Sequence, residues 1–390
     1  MQVGLLGKAN VGKSTFFAAS TESDVATGNY PFTTISPNVG VSHVRVVCAC
    51  RHFGIEHSTN TCNNGIRLVP IKLIDVAGLV PGAHTGKGLG NQFLDDARQA
   101  SILVHVVDVA GSTDIQGQPV PPGTHDPAED VKFIQEEFDM WFLNIIKREW
   151  DKLCREVNQK RVKVAEGITN RFTGLGVRQN DVQSTLQELN LISKAPKDWS
   201  DDEIYGMVRH LRRITKPILV AANKADLADD PNILGESVPC SAETELILRR
   251  AAKAGIISYT PGDSSFEYTT SEISVPQQKA LNIVKSVLNK LGSTGIQRVL
   301  NSAVFDRMSL ITAYPVEDET RLTNKDGVVL PDVLLLPRGS SAKDLAYMVH
   351  TDIGESFLYG IDCKTHQRIG AEHIIQDGDV IKIVSAGAKN

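Results

Sequence analysis

The chain has 390 residues, a formal net charge of −5 and an apolar share of 41%. This length is sufficient for two or three domains, and this apolar share is ordinary for a protein with packed cores. No apolar run reaches the roughly 18 residues that a membrane-spanning helix needs, and the negative charge excludes a chain that binds nucleic acid through its overall charge.

The first ten residues, MQVGLLGKAN, predict a strand that enters a loop. They lack the charged leader and apolar segment of a signal peptide. Six cysteines are scattered along the chain, which is typical of reduced thiols in a cytosol. We therefore expect a cytoplasmic protein without membrane contact, and we expect it to be monomeric.

A glycine-rich loop follows this first predicted strand. Residues 7–14 are GKANVGKS, the pattern GxxxxGK[ST] between a strand and a helix. Gly7 and Gly12 let the backbone turn its N–H groups toward phosphate oxygens, and the helix N-terminus adds partial positive charge. We expect Lys13 to reach the β- and γ-phosphates of a nucleotide and the Ser14 hydroxyl to bind Mg²⁺.

The predicted phosphate-binding set covers the whole loop and the start of the helix. It comprises Gly7, Lys8, Ala9, Asn10, Val11, Gly12, Lys13, Ser14 and Thr15. Kinases and ATPases share this loop, so it indicates a nucleotide without identifying the base.

Residues 29–40, NYPFTTISPNVG, lie between this loop and the next predicted strand. A threonine in such a segment can bind both Mg²⁺ and the γ-phosphate of a molecular switch. Thr34 is the favoured residue, although the sequence does not separate it from Thr33. A surface loop bounded by prolines is the alternative.

Residues 42–66 predict a hairpin with an elongated tip. The segment contains three cysteines and two histidines that could bind a metal: Cys48, Cys50, Cys62, His52 and His57. Their spacing is not a standard zinc pattern, so the hairpin alone is the first interpretation and a metal site is the second.

Residues 66–74 predict a buried strand that runs into the sequence Asp75-Val76-Ala77-Gly78. A carboxylate at the end of such a strand, here Asp75, can hold Mg²⁺, usually through water. The Gly78 N–H can then reach the γ-phosphate. This pattern is weak by itself, and its position after the phosphate loop strengthens it.

Residues 216–222 predict another buried strand, which ends at Asn223-Lys224-Ala225-Asp226. The Asp226 carboxylate can accept two hydrogen bonds from the N1–H and N2–H₂ edge of guanine, a donor pair that adenine lacks. The Lys224 stem can cover the base plane. A strand-to-helix loop capped by Asp226 is the alternative, but the order of the segments favours base recognition.

A short segment further along the chain, CSAE at residues 240–243, completes the predicted base site. The backbone N–H groups of Ser241, Ala242 and Glu243 could face the guanine O6. This signal is modest without the preceding segments.

Residues 128–215 predict helices, because their apolar residues recur at helical spacing. The aromatic residues among them, such as Phe138, Trp141 and Phe142, are expected in a core. Nine basic residues form a candidate RNA-facing strip, with a solvated helix face as an equal alternative. The strip comprises Lys147, Arg148, Lys152, Arg155, Lys160, Arg161, Lys163, Arg171 and Arg178.

Five segments together closely resemble the Obg-like GTPases, in particular the YchF subfamily in its archaeal form. They are GKANVGKS, NYPFTTISPNVG, DVAGLVPGAHTGKGLGNQFL, NKAD and CSAE. The resemblance covers nearly the whole chain. It implies an α/β fold with a Ras-like P-loop G domain at residues 1–127 and 216–305, a helical insertion at 128–215, and a small α+β ubiquitin-like TGS domain at 306–390.

The resemblance also implies a slow GTP-hydrolysing switch that contacts the ribosome, another part of the translation machinery or RNA through the insertion and the TGS domain. Many YchF relatives carry glutamate where this chain has Asp226, and they accept ATP. The motif NKAD therefore predicts a preference for GTP. An ATPase of the same design and a nucleotide-gated adaptor that does not hydrolyse its nucleotide remain the alternatives.

Leu79 occupies the position where many switch GTPases carry a water-orienting glutamine. Its side chain cannot hydrogen-bond to water, so hydrolysis should be slow unless another group serves. His84 is a candidate for polarising that water, with a solvated loop histidine as the alternative. Related GTPases that also have a hydrophobic residue in place of the glutamine use an asparagine to help bind K⁺, and Asn10 matches that asparagine. Such an ion could replace the charge of an arginine finger.

The predicted catalytic residues are Lys13, Thr34, Gly78 and His84. The predicted Mg²⁺ ligands are Ser14, Thr34 and Asp75.

Overall fold

The computed structural model describes residues 1–21, 39–57, 61–76 and 97–386. Contacts between residues divide these into two compact units. The described part of the first comprises residues 1–21, 39–41, 72–76 and 97–299. The described part of the second comprises residues 42–57, 61–71 and 300–386. The sequence analysis places the hairpin region, residues 42–66, in the G domain. By its contacts, the described part of this region instead belongs to the same unit as the C-terminal residues.

A mixed sheet contains the first seven strands. Its strands are β1 (Gln2–Leu6), β2 (Val39–Val47), β3 (Cys62–Asn63), β4 (Ile66–Asp75), β5 (Ile102–Asp108), β6 (Ile218–Asn223) and β7 (Ser237–Pro239). The strand order is β2-β4-β1-β5-β6-β7, and β3 pairs with β4. The pairs β4–β1, β1–β5, β5–β6 and β6–β7 are parallel. All seven residues of β5 are buried, as expected for a central strand covered on both faces.

Helices surround the parallel strands of the first unit and form the insertion. The helices of this unit include α1 (Lys13–Thr21), α3 (Pro127–Lys147), α4 (Trp150–Asn158), α5 (Val164–Phe172), α6 (Gln179–Glu188), α7 (Asp201–Thr215), α8 (Ala242–Lys253) and α9 (Val275–Leu291). A further helix, α2 (Cys50–Phe53), belongs to the hairpin region of the second unit. The short strands β8 (Ile257–Ser258) and β9 (Glu267–Tyr268) form a separate antiparallel pair.

The apolar residues of the helical insertion are buried, as their helical spacing predicts, in a core that also contains Leu6 and Leu103 of the sheet. Phe138, Trp141 and Phe142 are buried there, and Phe142 stacks on Phe172 with ring centroids 5.5 Å apart. The assignment of these aromatic residues to a core is therefore confirmed. The last helix of the insertion, α7, begins with a capping box in which the Ser200 hydroxyl accepts a hydrogen bond from the backbone N–H of Glu203.

The second unit contains a five-stranded sheet with one main helix on it. Its elements are α10 (Ile296–Asn301), β10 (Leu310–Val316), β11 (Leu334–Pro337), α11 (Ala342–Val349), α12 (Thr351–Glu355), β12 (Phe357–Asp362), β13 (Gln367–Ile369) and β14 (Asp379–Ser385), with α10 beginning in the first unit. The strand order is β11-β10-β14-β12-β13. Ile311, Leu336, Leu345 and Ile381 lie in its core. This sheet with its helices agrees with the small α+β domain that the resemblance implies.

Among the residues described, every helix falls short of the length and apolarity that crossing a membrane requires.

Candidate functional site

The glycine-rich loop joins β1 to α1, as the sequence predicts. Gly12 has a φ of 90°, and a Cβ at this position would lie 2.4 Å from the Asn223 Nδ2 atom. Only glycine therefore fits here without displacement of its neighbour. The Gly12 carbonyl accepts the backbone hydrogen bond of Phe16 at 2.8 Å, so the helix begins directly at the end of the loop.

Asn223 connects three of the predicted segments. It ends β6, and its side chain is buried. Its Nδ2 donates to the Val11 carbonyl at 2.8 Å, and its Oδ1 accepts from the Ala242 backbone N–H at 3.0 Å. One amide thus fixes the phosphate loop, the NKAD segment and the CSAE segment relative to each other.

Lys224 is held by a carboxylate that the sequence reasoning did not single out. Its Nζ donates to Asp108 Oδ2 at 2.8 Å and to Ser112 Oγ at 3.0 Å. Asp108 is buried at the end of β5, and the same oxygen accepts hydrogen bonds from Ser112 and Thr113. These contacts fix the ammonium group, so the position of the Lys224 stem is defined before any base binds.

Asp226 lies in a turn rather than at the start of a helix. Residues 225–227 form this turn, so the alternative in which Asp226 caps a helix is wrong. Lys290, on α9, donates to the backbone carbonyls of Asp226 and Ala228 at 3.3 and 2.8 Å. The carboxylate is partly exposed. The turn is therefore fixed by its backbone while the Asp226 side chain stays accessible to a ligand.

Ser241, Ala242 and Glu243 lie at the start of α8. The Ser241 hydroxyl accepts from the Thr244 backbone N–H, so Ser241 is the N-cap of this helix. The Ser241 N–H donates to the Thr294 carbonyl at 2.8 Å, and the Ala242 N–H donates to Asn223. These two N–H groups already have acceptors, so their predicted contact with the guanine O6 stays a prediction.

The predicted magnesium ligands Ser14 and Asp75 lie on adjacent segments of the first unit. Asp75 ends β4 and pairs in register with Leu5, two residues before the phosphate loop begins at Gly7. The Asp75 carboxylate forms an ion pair with the Lys13 ammonium. Ser14 is exposed in the first turn of α1. A carboxylate and a hydroxyl are the hard oxygen donors that Mg²⁺ prefers, so this pair of residues fits the ion.

Lys8 is a charged residue of the loop whose side chain is buried in the protein. Its Nζ donates to the Thr113 carbonyl at 3.0 Å and to Asp130 Oδ1 at 2.9 Å. Asp130 lies in the first turn of α3 and also contacts His125 Nε2 at 3.0 Å. The Lys8 ammonium is therefore bound to the insertion helix, and only the backbone of this residue is left to face a phosphate.

Asn10 and the neighbouring loop are also in contact. The Asn10 Nδ2 donates to the Gly117 carbonyl at 2.8 Å. Gly117 has a φ of 79°, and a Cβ there would lie 2.7 Å from the Ala9 carbonyl oxygen. The loop after β5 therefore packs closely on the phosphate loop, and Asn10 presents its amide oxygen from a fixed side chain.

Several predicted residues lie outside the described part of the chain. They are Thr33, Thr34, Gly78, Leu79 and His84. Their roles in binding Mg²⁺, the γ-phosphate and the attacking water stay predictions.

The predicted basic strip is smaller than the sequence suggests. Arg171 is largely buried and forms ion pairs with Glu156 and Glu149 at 3.1 and 3.5 Å. It is not part of an exposed strip. Lys147 pairs with Asp201, and Lys152 with Glu149. The exposed remainder is Arg148, Arg155, Lys160, Arg161, Lys163 and Arg178.

Three family models match the chain. Residues 2–141 match a model described as 50S ribosome-binding GTPase, and residues 221–318 match the G4 motif-containing domain of YGR210-like Obg-like GTPases. Residues 321–385 match the TGS domain.

The chain is also similar to proteins of known sequence or structure. A GTP-binding protein of Methanocaldococcus jannaschii is 43% identical over 396 residues, which cover 98% of this chain and 99% of that protein. The crystal structure of a GTP-binding protein from Pyrococcus horikoshii covers 99% of this chain and 100% of its own, with 38% identity and a TM-score of 0.77. The structure of the Schizosaccharomyces pombe YchF GTPase covers 98% and 97%, with 20% identity and a TM-score of 0.58, a likeness of fold.

Proposed function

The chain belongs to the Obg-like GTPase family, and from this premise we propose that it binds GTP with Mg²⁺ and hydrolyses the GTP slowly as a molecular switch. The observation that carries the proposal is the Asn223 amide. It joins the phosphate loop to the segment that contains Asp226, so the elements for phosphate and for guanine have one fixed geometry.

In this proposal the backbone N–H groups of the loop and the Lys13 ammonium bind the phosphates. Lys13 is paired with Asp75 in the structure, and both groups would exchange this contact for ligands when a nucleotide with Mg²⁺ binds. Ser14 and Asp75 would hold the ion, and the ion would neutralise charge on the β- and γ-phosphates. Asp226 would accept the two guanine hydrogen bonds, which gives the preference for GTP over ATP.

Slow hydrolysis is proposed because Leu79 stands in place of a water-orienting glutamine. A K⁺ ion could supply part of the missing transition-state charge. The Asn10 amide oxygen is the proposed protein ligand for K⁺, since its amide nitrogen is already bound to Gly117. Equal hydrolysis rates in K⁺ and Na⁺ buffers would remove this part of the proposal. His84 is the second candidate for assisting the water.

The test of the central proposal has two parts. Calorimetric titration with GTP, GDP and ATP should give a clear preference for the guanine nucleotides. Comparable affinities for GTP and ATP would instead favour an ATPase of the same design. Single-turnover phosphate release should then be slow but measurable, because the alternative of a nucleotide-gated adaptor predicts binding without any release.

Association with the ribosome is the second part of the proposed function. It is supported by the match of residues 2–141 to a family of ribosome-binding GTPases and by the exposed basic residues of the insertion. Cosedimentation with ribosomes should be stronger with a non-hydrolysable GTP analogue than with GDP. Equal binding in both states would contradict the switch. A variant with Lys160, Arg161 and Lys163 changed to glutamate should bind less, and its binding should lose part of its salt dependence.

A further inference from the structure

Four potential metal ligands lie together at the tip of the hairpin region in the second unit. They are Cys48, Cys50, His57 and Cys62, and one ligand atom from each lies within 4.8 Å of the others. The Cys48 Sγ is 3.5 Å from His57 Nε2. His52, the fifth residue of the set noted in the sequence, is not part of this group.

We propose that Cys48, Cys50, His57 and Cys62 form a structural Zn²⁺ site. Three thiolates and one imidazole are one of the donor sets found in closed tetrahedral zinc sites. With Zn–S bonds of about 2.3 Å, the ligand atoms of a tetrahedron are separated by roughly 3.8 Å. The observed cluster is only slightly wider than this, so small side-chain rotations would close it around one ion.

The environment of the four side chains fits a metal ion. The three cysteines are buried, and the Cys48 Sγ lies within contact distance of the His57 imidazole. His57 is half-buried beside them, and the neutral imidazole is the form of histidine that binds metals. Binding of Zn²⁺ would release the thiol protons, and the charge of the ion would stabilise the three buried thiolates that result.

The surrounding backbone has the shape of a closed loop around these ligands. The Cys48 N–H donates to the Gly65 carbonyl at 2.9 Å, and the Ile55 N–H donates to the Cys50 carbonyl at 3.0 Å. Gly54 ends α2 with a φ of 63°, and this turn lies between Cys50 and His57. An open cavity of 720 Å³ next to Cys50 and His57 gives an ion a route of entry.

The described part of the tip contains only short elements of regular structure. Its regular structure consists of the four-residue helix α2 and the two-residue strand β3. Elements of this length are not stable by themselves in water. An ion that links residue 48 to residue 62 would therefore supply the stabilisation that a larger apolar core supplies elsewhere.

A stable tip matters because the strands that lead to it are anchored within the second unit. The fully buried Arg67, on β4, donates to the carbonyls of Leu330 and Pro331 at 3.0 and 2.8 Å. The backbone N–H of Arg45, on β2, donates to Asn301 Oδ1 at 2.9 Å, and Asn301 Nδ2 donates to the Arg45 carbonyl at 2.7 Å. The proposed ion closes the end of the hairpin that makes these contacts, so its loss should affect the stability of the whole second unit.

The test uses the full-length protein purified under reducing conditions. Elemental analysis by mass spectrometry should find about one zinc per chain, as expected for one closed site. Cys62→Ser should lose most of this zinc and lower the melting temperature. Cys363→Ser is the matched control, because Cys363 is another buried thiol of the same unit outside the cluster, and it should keep the zinc.

A second measurement avoids dependence on a variant that fails to fold. Cobalt(II) added to wild-type protein after removal of zinc with a chelator should give the visible absorption of tetrahedral thiolate coordination. Three results would overturn the proposal: wild-type protein that holds no zinc and takes up no cobalt, zinc that stays bound in Cys62→Ser, or an intact mass lower by two hydrogens, which would indicate a disulfide.

Discussion

The Lys8 ammonium donates to the Asp130 carboxylate at 2.9 Å, and both side chains are buried. The contact links the phosphate loop to the first turn of α3, the helix that begins the insertion. A buried ion pair is weak evidence for stability, but removal of one partner leaves an uncompensated charge. This contact is therefore one route by which the phosphate loop and the insertion are coupled.

Asp130→Asn should destabilise the first unit by roughly 3 kcal/mol, because the Lys8 ammonium would lose its carboxylate partner inside the protein. The same change should weaken GTP binding, since the backbone of Lys8 belongs to the phosphate loop. Thermal unfolding and calorimetric titration measure the two effects. Glu129→Gln is the matched control on the same turn of α3, because its side chain is 63% exposed and contacts His125 only at 3.9 Å.

An unchanged melting temperature together with an unchanged GTP affinity in Asp130→Asn, both equal to those of Glu129→Gln, would contradict the coupling. Weaker GTP binding without any loss of stability would mean that the Lys8 contact positions the loop but does not hold the helix.

Gly12→Ala should abolish measurable GTP binding. Its Cβ would lie 2.4 Å from Asn223 Nδ2, so either the loop or the Asn223 amide must move, and the positive φ adds strain. Gly206→Ala is the control, because Gly206 lies in α7 with no atom within 4 Å of the added carbon. It should bind GTP normally and gain up to about 1 kcal/mol in stability from helix propensity. Normal GTP affinity in Gly12→Ala would show that the loop adapts to the extra carbon.

Asp226→Asn should change the base preference of the site from guanine to xanthine. The asparagine amide repels the N2–H₂ group of guanine but can donate to the C2 carbonyl of xanthine, so GTP affinity should fall and affinity for xanthosine triphosphate should rise. A loss of at least about 100-fold for GTP is expected from an unpaired buried hydrogen-bonding group. Asp229→Asn, an exposed neighbour, should change neither affinity. Retention of GTP binding in Asp226→Asn would mean that Asp226 does not contact the base.

The sequence predicts the parts of this site that depend on local chemistry. The strand, glycine loop and helix around Lys13 follow from adjacent residues, and the ends of β4 and β6 follow from apolar runs that stop at a polar residue. The partners of Lys8 and Lys224 could not be predicted in the same way. Asp130 and Asp108 lie more than 100 residues from these lysines. The pairing of β5 with β6 brings Asp108 to Lys224, and the first turn of α3 brings Asp130 to Lys8.

A buried lysine always requires a compensating group, so Lys8 could have prompted a search for a carboxylate if its burial had been predicted. The metal cluster illustrates the same limit in a different way. Its spacing of ligands matches no standard pattern, and only the fold of the hairpin tip brings Cys48, Cys50, His57 and Cys62 together while it leaves His52 outside.

His105 makes the stability of the first unit depend on pH. Complete burial on β5, with a smaller effect of the Lys8 charge, lowers its pKa to about 3, whereas an unfolded chain has the usual value near 6.5. Between these values the unfolded state binds a proton that the native state does not, so stability is complete above about pH 6.5 and falls by about 1.4 kcal/mol per pH unit below it. His105→Gln removes this titration and keeps all carboxylates. Urea unfolding from about pH 7 to pH 4 should therefore give a shallower decline for the variant. Parallel declines in both proteins would mean that His105 is protonated in the native state.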